Sequence, residues 1–442
     1  MIQLSDHFDY KRLIKFTLPS IFSMIIGSVY SIVDGFFVSN FVGKTPFTAL
    51  NLIFPFLMIL GAVGNMIGVG GTALVAKTLG EGKREKANDM FSFFTYACAA
   101  SGVVFAVIGI IFLPDIAVLL GATEELLPYC VQYGRIMLIG MAPMMLQYTF
   151  QGFMIAAEKP QISMYITVAA GVTNIILDAL YVGVFKWGLA GAATATVTSQ
   201  CIGGFLPMIL FARKKSDWIL RLGKATFDIK ALTQACSNGL SSFLSSISSS
   251  VVGMLFNYQL MAYAGPDGVA AYGVIMYVEM IFLSASFGYT SGISPVFSYH
   301  YGAQNTAELK NLRKRSLVII WVSSVFMFGL AQLLAQPLTA IFTSYDSALM
   351  AMTTHAFRVY SFNFIVSGMG IFGSTLFAAL NNGGVASVLS FLRLVVFQGG
   401  FILLLPAVLG INGIWTATAI ANSFSAISAY IFMAVYKNKY NY

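Results

Sequence analysis

Residues 172–196 read VTNIILDALYVGVFKWGLAGAATAT, an apolar helix with Asn174 and Asp178 one turn apart, a short aromatic turn, and then a helix of small residues. Residues four apart share a helix face, so the amide and the carboxylate stand together. A carboxylate within a lipid-length helix costs about 2.5–3.5 kcal/mol on insertion scales, which makes it either paired or functional. Asp178 is therefore the first functional candidate.

The rest of the chain has the same apolar character. Of 442 residues, 58% are hydrophobic and 10% charged, with a mean hydropathy of +0.80, too little polar surface for a soluble globule. Apolar runs near the ~20 residues needed to cross hydrocarbon predict twelve transmembrane helices: 14–37, 47–76, 90–113, 129–156, 162–185, 189–212, 235–263, 269–297, 317–342, 352–380, 385–409 and 413–436. The fold class expected is an all-α polytopic membrane protein.

The formal charge of +8 could suggest nucleic acid, but the position of the charge argues otherwise. With the N-terminus placed inside, twenty of the 25 basic residues fall in inner segments, from Lys11, Arg12 and Lys15 through the linker to Lys437 and Lys439. Only Lys44 and Lys186 fall in outer loops, while Arg135, Arg358 and Arg393 lie within spans. This asymmetry predicts both termini on the cytoplasmic side of the inner membrane. Cys98, Cys130, Cys201 and Cys236 lie singly in apolar runs and read as core residues.

Sliding the chain by 222 positions aligns its halves. Gly43 falls on Gly265, Gly80 on Gly302, and GLAGAATAT from Gly188 on GINGIWTAT from Gly410. Six helices per copy return the chain to its starting side, so the copies run parallel about a pseudo-twofold along the membrane normal. The expected domains are an N-lobe (1–212), a cytoplasmic linker (213–234) and a C-lobe (235–442), facing each other across a cleft.

The acids break this symmetry. Asp34 aligns with Phe256, Asn174 with Val396 and Asp178 with Gly400, so the N-lobe alone carries the polar cluster. Tyr30 lies one turn before Asp34, and Pro19 permits a bend in the first span. Conversely Glu279 stands in the eighth span opposite Leu57 of the first copy; with Met276, Tyr277 and Phe282 it is expected to contribute an adaptable wall to the cleft. Arg393 could be a packing partner or a gate, and Glu158 with Lys159 could cap the turn before Pro160. GGTALVAKT near Gly70 lacks the strand and the glycine of a phosphate loop, and GISP at Gly292 with His300 makes no nucleophile and base arrangement, so neither ATP use nor catalysis is expected.

These features together, SIVDGFFVSNFVG in the first span and NIILDALYVGVFKWGLAGAATAT in the fifth and sixth, resemble the multidrug and toxic compound extrusion (MATE) transporters over essentially the whole chain. The resemblance implies two V-shaped bundles that alternate access and export cationic or amphipathic drugs in exchange for H⁺ or Na⁺. It places the H⁺ or Na⁺ site at Asp34, Asn174, Asp178 and Thr196, with Tyr30 beside it and Pro19 at the bend. The chain departs from members that bind sodium through acids of the seventh and tenth spans, which shifts weight to the N-lobe. The expectation is thus a monomeric antiporter, not an enzyme, with no cofactor, no nucleic-acid partner, small organic substrates and surrounding lipid. The rival is a lipid-linked saccharide flippase on a related scaffold, whose phosphates would call for basic residues in the cleft.

Overall fold

The computed structural model describes residues 2–213, 218–343 and 346–442, and no strand occurs among them. An apolar chain of this kind has to satisfy its backbone within each segment, and helices do so without water. In chain order the helices are α1 (Tyr10–Phe41), α2 (Lys44–Gly80), α3 (Arg84–Leu119), α4 (Leu127–Ile139), α5 (Met141–Ala156), α6 (Pro160–Asp178), α7 (Gly188–Ala212), α8 (Ile229–Gly302), α9 (Thr306–Thr343), α10 (Ser347–Tyr360), α11 (Asn363–Ala379), α12 (Gly383–Phe391), α13 (Gly400–Leu404), α14 (Pro406–Leu409), α15 (Ile411–Val435) and α16 (Lys437–Tyr440). Two π-helical segments, Ala179–Val184 and Leu392–Gly399, continue α6 and α12.

Among the described residues nine helices are long and apolar enough to cross a membrane, or ten when α10 and α11, bent by 46°, count as one span. The 74 residues of α8 would measure about 110 Å at 1.5 Å per residue, far beyond a hydrocarbon core of about 30 Å. The helix breaks at Gly265 (φ 63°, ψ −156°), a conformation open to glycine, and so forms two columns. Joining α4 to α5 across Gly140 completes the twelve expected columns. The duplication is visible in the backbone: Gly43 and Gly265, Gly82 and Gln304, and Gly188 and Gly410 are pairs 222 apart, and all six have positive φ. The π-helical segments also fall in corresponding columns.

Each lobe has its own core. In the first, Phe91 packs edge-on against Phe153 (4.8 Å between ring centres) and Phe150 stacks on Phe211 (5.7 Å). In the second, Phe256 stacks on Tyr272 (4.5 Å) and Phe282 on Phe364 (5.0 Å), with Trp415 fully buried nearby. The connection between lobes is shorter than 213–234, because Asp228 accepts a hydrogen bond from Ala231 N and starts α8 at Ile229. It is pinned to the start of α3: Arg84 donates to the carbonyls of Trp218 and Ile219, Asn88 accepts from Arg221 N, and Asp89 accepts from Thr226 N. Lys214 and Lys215, counted among the basic residues of the linker, lie outside the described residues.

The lobes meet where α2 runs between the two arms of α8. A Cβ on Gly239 would overlap the Met66 carbonyl oxygen, and one on Gly302 the Lys77 carbonyl oxygen, so these backbones touch directly. The same end of the molecule carries both chain termini. Leu4 and Phe8 are buried there, and Leu4 N donates to Glu158 Oε1 of the first lobe (2.7 Å). Phe8 N donates to Glu308 Oε1 of the second (2.9 Å), and His7 Nδ1 pairs with Glu308 Oε2 (2.6 Å). The N-terminal segment is therefore a strap across the lobes. Glu158 and Lys159 close α5 as expected, with a positive φ of 61° at Glu158 and their N–H groups donating to the Ile155 and Met154 carbonyls, and the Glu158 carboxylate also holds this strap.

Two outcomes follow from this joint. Gly239→Leu should overpack the α2/α8 contact and lower stability by about 1–3 kcal/mol; an unaltered thermal midpoint in detergent would contradict the direct backbone contact. Glu308→Ala leaves Phe8 N and His7 without their acceptor and should destabilise by about 1–3 kcal/mol, read in the same melting experiment.

Candidate functional site

A cavity of about 520 Å³ lies between the lobes. Its first-lobe wall includes Ser23, Gly27, Tyr30, Gln147, Tyr148 and Gln151, and its second-lobe wall includes Ser241, Ser245, Met280, Ser284, Ser374 and Arg393. This is within the ordinary range for small-molecule sites, and the wall mixes aromatic and thioether surface with hydroxyls and amides. Many of the hydroxyls come from the run SSFLSSISSS, residues 241–250, at the start of α8. Their hydrogens are satisfied within the helix, as when Ser245 Oγ donates to Ser241 O (2.8 Å) and Ser249 Oγ to Ser245 O (2.8 Å). Their oxygens remain as a polar stripe.

The acids stand behind this wall, inside the first lobe. Asp178 is fully buried at the end of α6, and Asn174, one turn earlier, is 1% exposed. Asp34 comes from α1, and its carboxyl adjoins that of Asp178 closely enough for a hydrogen bond when one of them carries a proton. No donor among the described residues reaches either oxygen of Asp178 or Oδ1 of Asp34, and the Asn174 amide has no partner either. Tyr133, buried to 3% exposure, lies near both acids. The π-helical segment that begins immediately after Asp178 is of the kind found at functional sites, where the altered winding re-aims side chains.

Tyr30 separates the two compartments. It lines the cavity, it is one turn from Asp34, and its ring packs over Gly171, where a Cβ would come within 3.0 Å of Cδ1. The other expected residues fall at differing places. The Thr196 hydroxyl donates to its own helix at Ala192 O (3.0 Å). Pro19 sits within an unbroken α1, and Ser23 Oγ donates to the Pro19 carbonyl (2.9 Å).

Glu279 is not among the residues lining the cavity. Its neighbour Met280 lines the wall, and one residue along a helix is a rotation of roughly 100°. Glu279 turns into the second lobe, where Asn363 Nδ2 donates to Oε1 (3.2 Å), the Tyr360 hydroxyl is also bonded to it, and Asn422 Nδ2 donates to Asn363 Oδ1 (2.6 Å). Phe282 is taken up by the Phe364 stack, and Met276 and Tyr277 are 45% and 42% exposed, so these three are also absent from the cavity wall. Several residues that do form the wall, Gln147, Gln151 and the serine run among them, were not singled out from the sequence, although seven serines in ten positions of an apolar span was a readable sign of a wet helix face.

The MatE family model matches residues 19–180 and 241–401. The multidrug export protein MepA of Staphylococcus aureus (strain NCTC 8325 / PS 47) is 25% identical over 441 residues, covering 97% of this chain and 94% of MepA. MepA of Staphylococcus saprophyticus is 25% identical over 434 residues with the same coverage. Among solved structures, a MATE transporter in complex with MaL6 superposes with a TM-score of 0.93 at 21% identity, over 98% of both chains. An outward-facing multidrug resistance MATE transporter of the MOP superfamily gives 0.92 at 22% identity, over 98% of this chain and 97% of that one. Two six-helix lobes, a cavity between them, and a family match in both halves place this multi-pass membrane protein in the MATE family of multidrug export transporters.

Proposed function

We propose that the protein is a secondary antiporter that exports amphipathic compounds, cationic ones included, in exchange for H⁺ or Na⁺ by alternating access, with its basic, strap-bearing end in the cytoplasm. The observation that carries this reading is the contact between the Asp34 and Asp178 carboxyls inside the first lobe, with the Asn174 amide beside them and no donor to Asp178 among the described residues. Two carboxylates side by side in a low dielectric cannot both be ionised without a cation between them. A proton, or a hard cation held by the same oxygens, resolves the repulsion.

Helix α1 gives that event a route to the lobes. Asp34 faces α6, while Ser28 on the same helix meets Ser284 of α8 and donates toward the Met280 carbonyl (3.4 Å). Binding or release at the acids thus acts on a helix that also forms the interface between lobes. Exchange requires the ion to bind one arrangement of the lobes better than the other. The name multidrug export protein borne by the staphylococcal relatives supports the substrate class. The flippase reading is weaker, because a phosphate-bearing cargo calls for several basic groups and the residues lining the cavity include one, Arg393.

The test is transport in proteoliposomes with H⁺ and Na⁺ gradients imposed separately. One of the two gradients should drive substrate uptake against its own gradient in wild type. Asp34→Asn and Asp178→Asn should each lower that driven flux at least roughly tenfold, since either removes the shared charge, while the thermal midpoint stays near wild type. Equal flux in both variants would refute the assignment of the coupling site.

A further inference from the structure

Arg393 is the charged residue of the cavity wall, and the arrangement around it is built for something the wall does not contain. It is 7% exposed, and among the described residues its Nε has no hydrogen-bond partner while a terminal nitrogen reaches Ser245 Oγ at 3.5 Å. No carboxyl among the described residues comes within ion-pair distance of it. One turn earlier on the same face, Ser390 Oγ is also buried without a partner among the described residues, and it too lines the cavity. A guanidinium that serves packing is held by an acid or by carbonyls, because a buried charge without such compensation is strongly disfavoured. Here two polar groups, a cation and a hydroxyl, remain unmatched side by side at the edge of a space large enough for a ligand.

The backbone supports the same reading. Arg393 is the second residue of the π-helical segment Leu392–Gly399, as Asp178 is the residue immediately before its counterpart in the first lobe. Across the 222-residue repeat Arg393 corresponds to Gly171, over which the Tyr30 ring packs, and Asp178 corresponds to Gly400. The duplicated columns have thus taken opposite charges: carboxyls behind Tyr30 in one lobe, a guanidinium in the cavity wall in the other.

We propose that Arg393, with Ser390 and Ser245, forms an anion subsite on the second-lobe wall that receives the carboxylate of a zwitterionic amphipathic substrate. A carboxylate matches the planar fork of a guanidinium with two parallel hydrogen bonds. The apolar body of such a molecule then lies against Met24, Met280 and Phe287 of the same cavity. The inference rests on the efflux reading and narrows its substrate class: a compound with both an amine and a carboxylate is favoured over the same compound with its acid masked.

The experiment uses the full chain and two probes of the same shape, rhodamine B, a zwitterion, and its ethyl ester, a cation. Binding is followed by fluorescence polarisation in detergent, and transport in proteoliposomes. Wild type should bind rhodamine B more tightly than the ester by roughly tenfold, the scale of one charge-assisted bidentate contact. Arg393→Gln should abolish that preference while leaving ester affinity within about twofold. Arg393→Lys should retain part of it, and Ser390→Ala should reduce it without touching the charge. A preference equal to wild type in Arg393→Gln, or the same loss of both probes in variants that melt normally, overturns the subsite, as does chloride binding that requires Arg393 with no discrimination between the probes. Failure of any ion gradient to drive either probe overturns the efflux reading, and the binding preference still decides the subsite.

Discussion

An acid with no basic partner among the described residues, pressed against a second acid inside an apolar bundle, sets a condition that the rest of this structure has to meet. Asp34 and Asp178 come from different helices, α1 and α6, so their relation depends on how those helices pack. In water such a pair would separate and hydrate. In the first lobe Asp178 cannot, because it is fully buried and Tyr133 lies beside it. On the proposed reading the charge state of the pair and the packing of α1 vary together, and α1 is also the helix that reaches across to α8 through Ser28 and Ser284.

The duplicated frame makes such a variable useful. Two six-helix lobes meet through backbone contact of α2 with both arms of α8 and through the strap that ties Glu158 to Glu308. Side chains join them as well: Leu13 and Phe16 of α1 and Ile155 of α5 share one buried cluster with Tyr289, Ile293 and Val296 of α8. On the proposed reading, one lobe rocks against the other about this joint. The cavity lies at this boundary.

The large features were readable in the sequence because they rest on simple periodicities. Apolar runs gave the membrane columns, and the 222-residue repeat gave pairs such as Gly43 with Gly265 and Gly188 with Gly410, whose shared positive φ only glycine adopts freely. Asp34, Asn174 and Asp178 were legible since polar groups stand out in an apolar helix. The direction a residue faces was less so: Glu279 and Met280 are neighbours in the chain, yet one bonds Asn363 and the other lines the cavity, a difference set by helix rotation. The strap was hidden because a polar N-terminal stretch has no periodicity of its own, and the buried Phe8 gains its meaning from Glu308, three hundred residues away. The place of Arg393 depended likewise on the π-helical segment, which no local pattern announces.

The central claim is that the Asp34 and Asp178 pair gives up its ion when substrate enters the cavity in front of Tyr30. The most direct measurement is the ion released when substrate is added to purified protein in weakly buffered detergent solution, followed by a pH indicator and by displacement of radioactive sodium. The account predicts release of one of the two ions by wild type, saturating with substrate occupancy and absent from Asp178→Asn. Substrate binding that releases neither ion from wild type, or releases as much from Asp178→Asn, would contradict it.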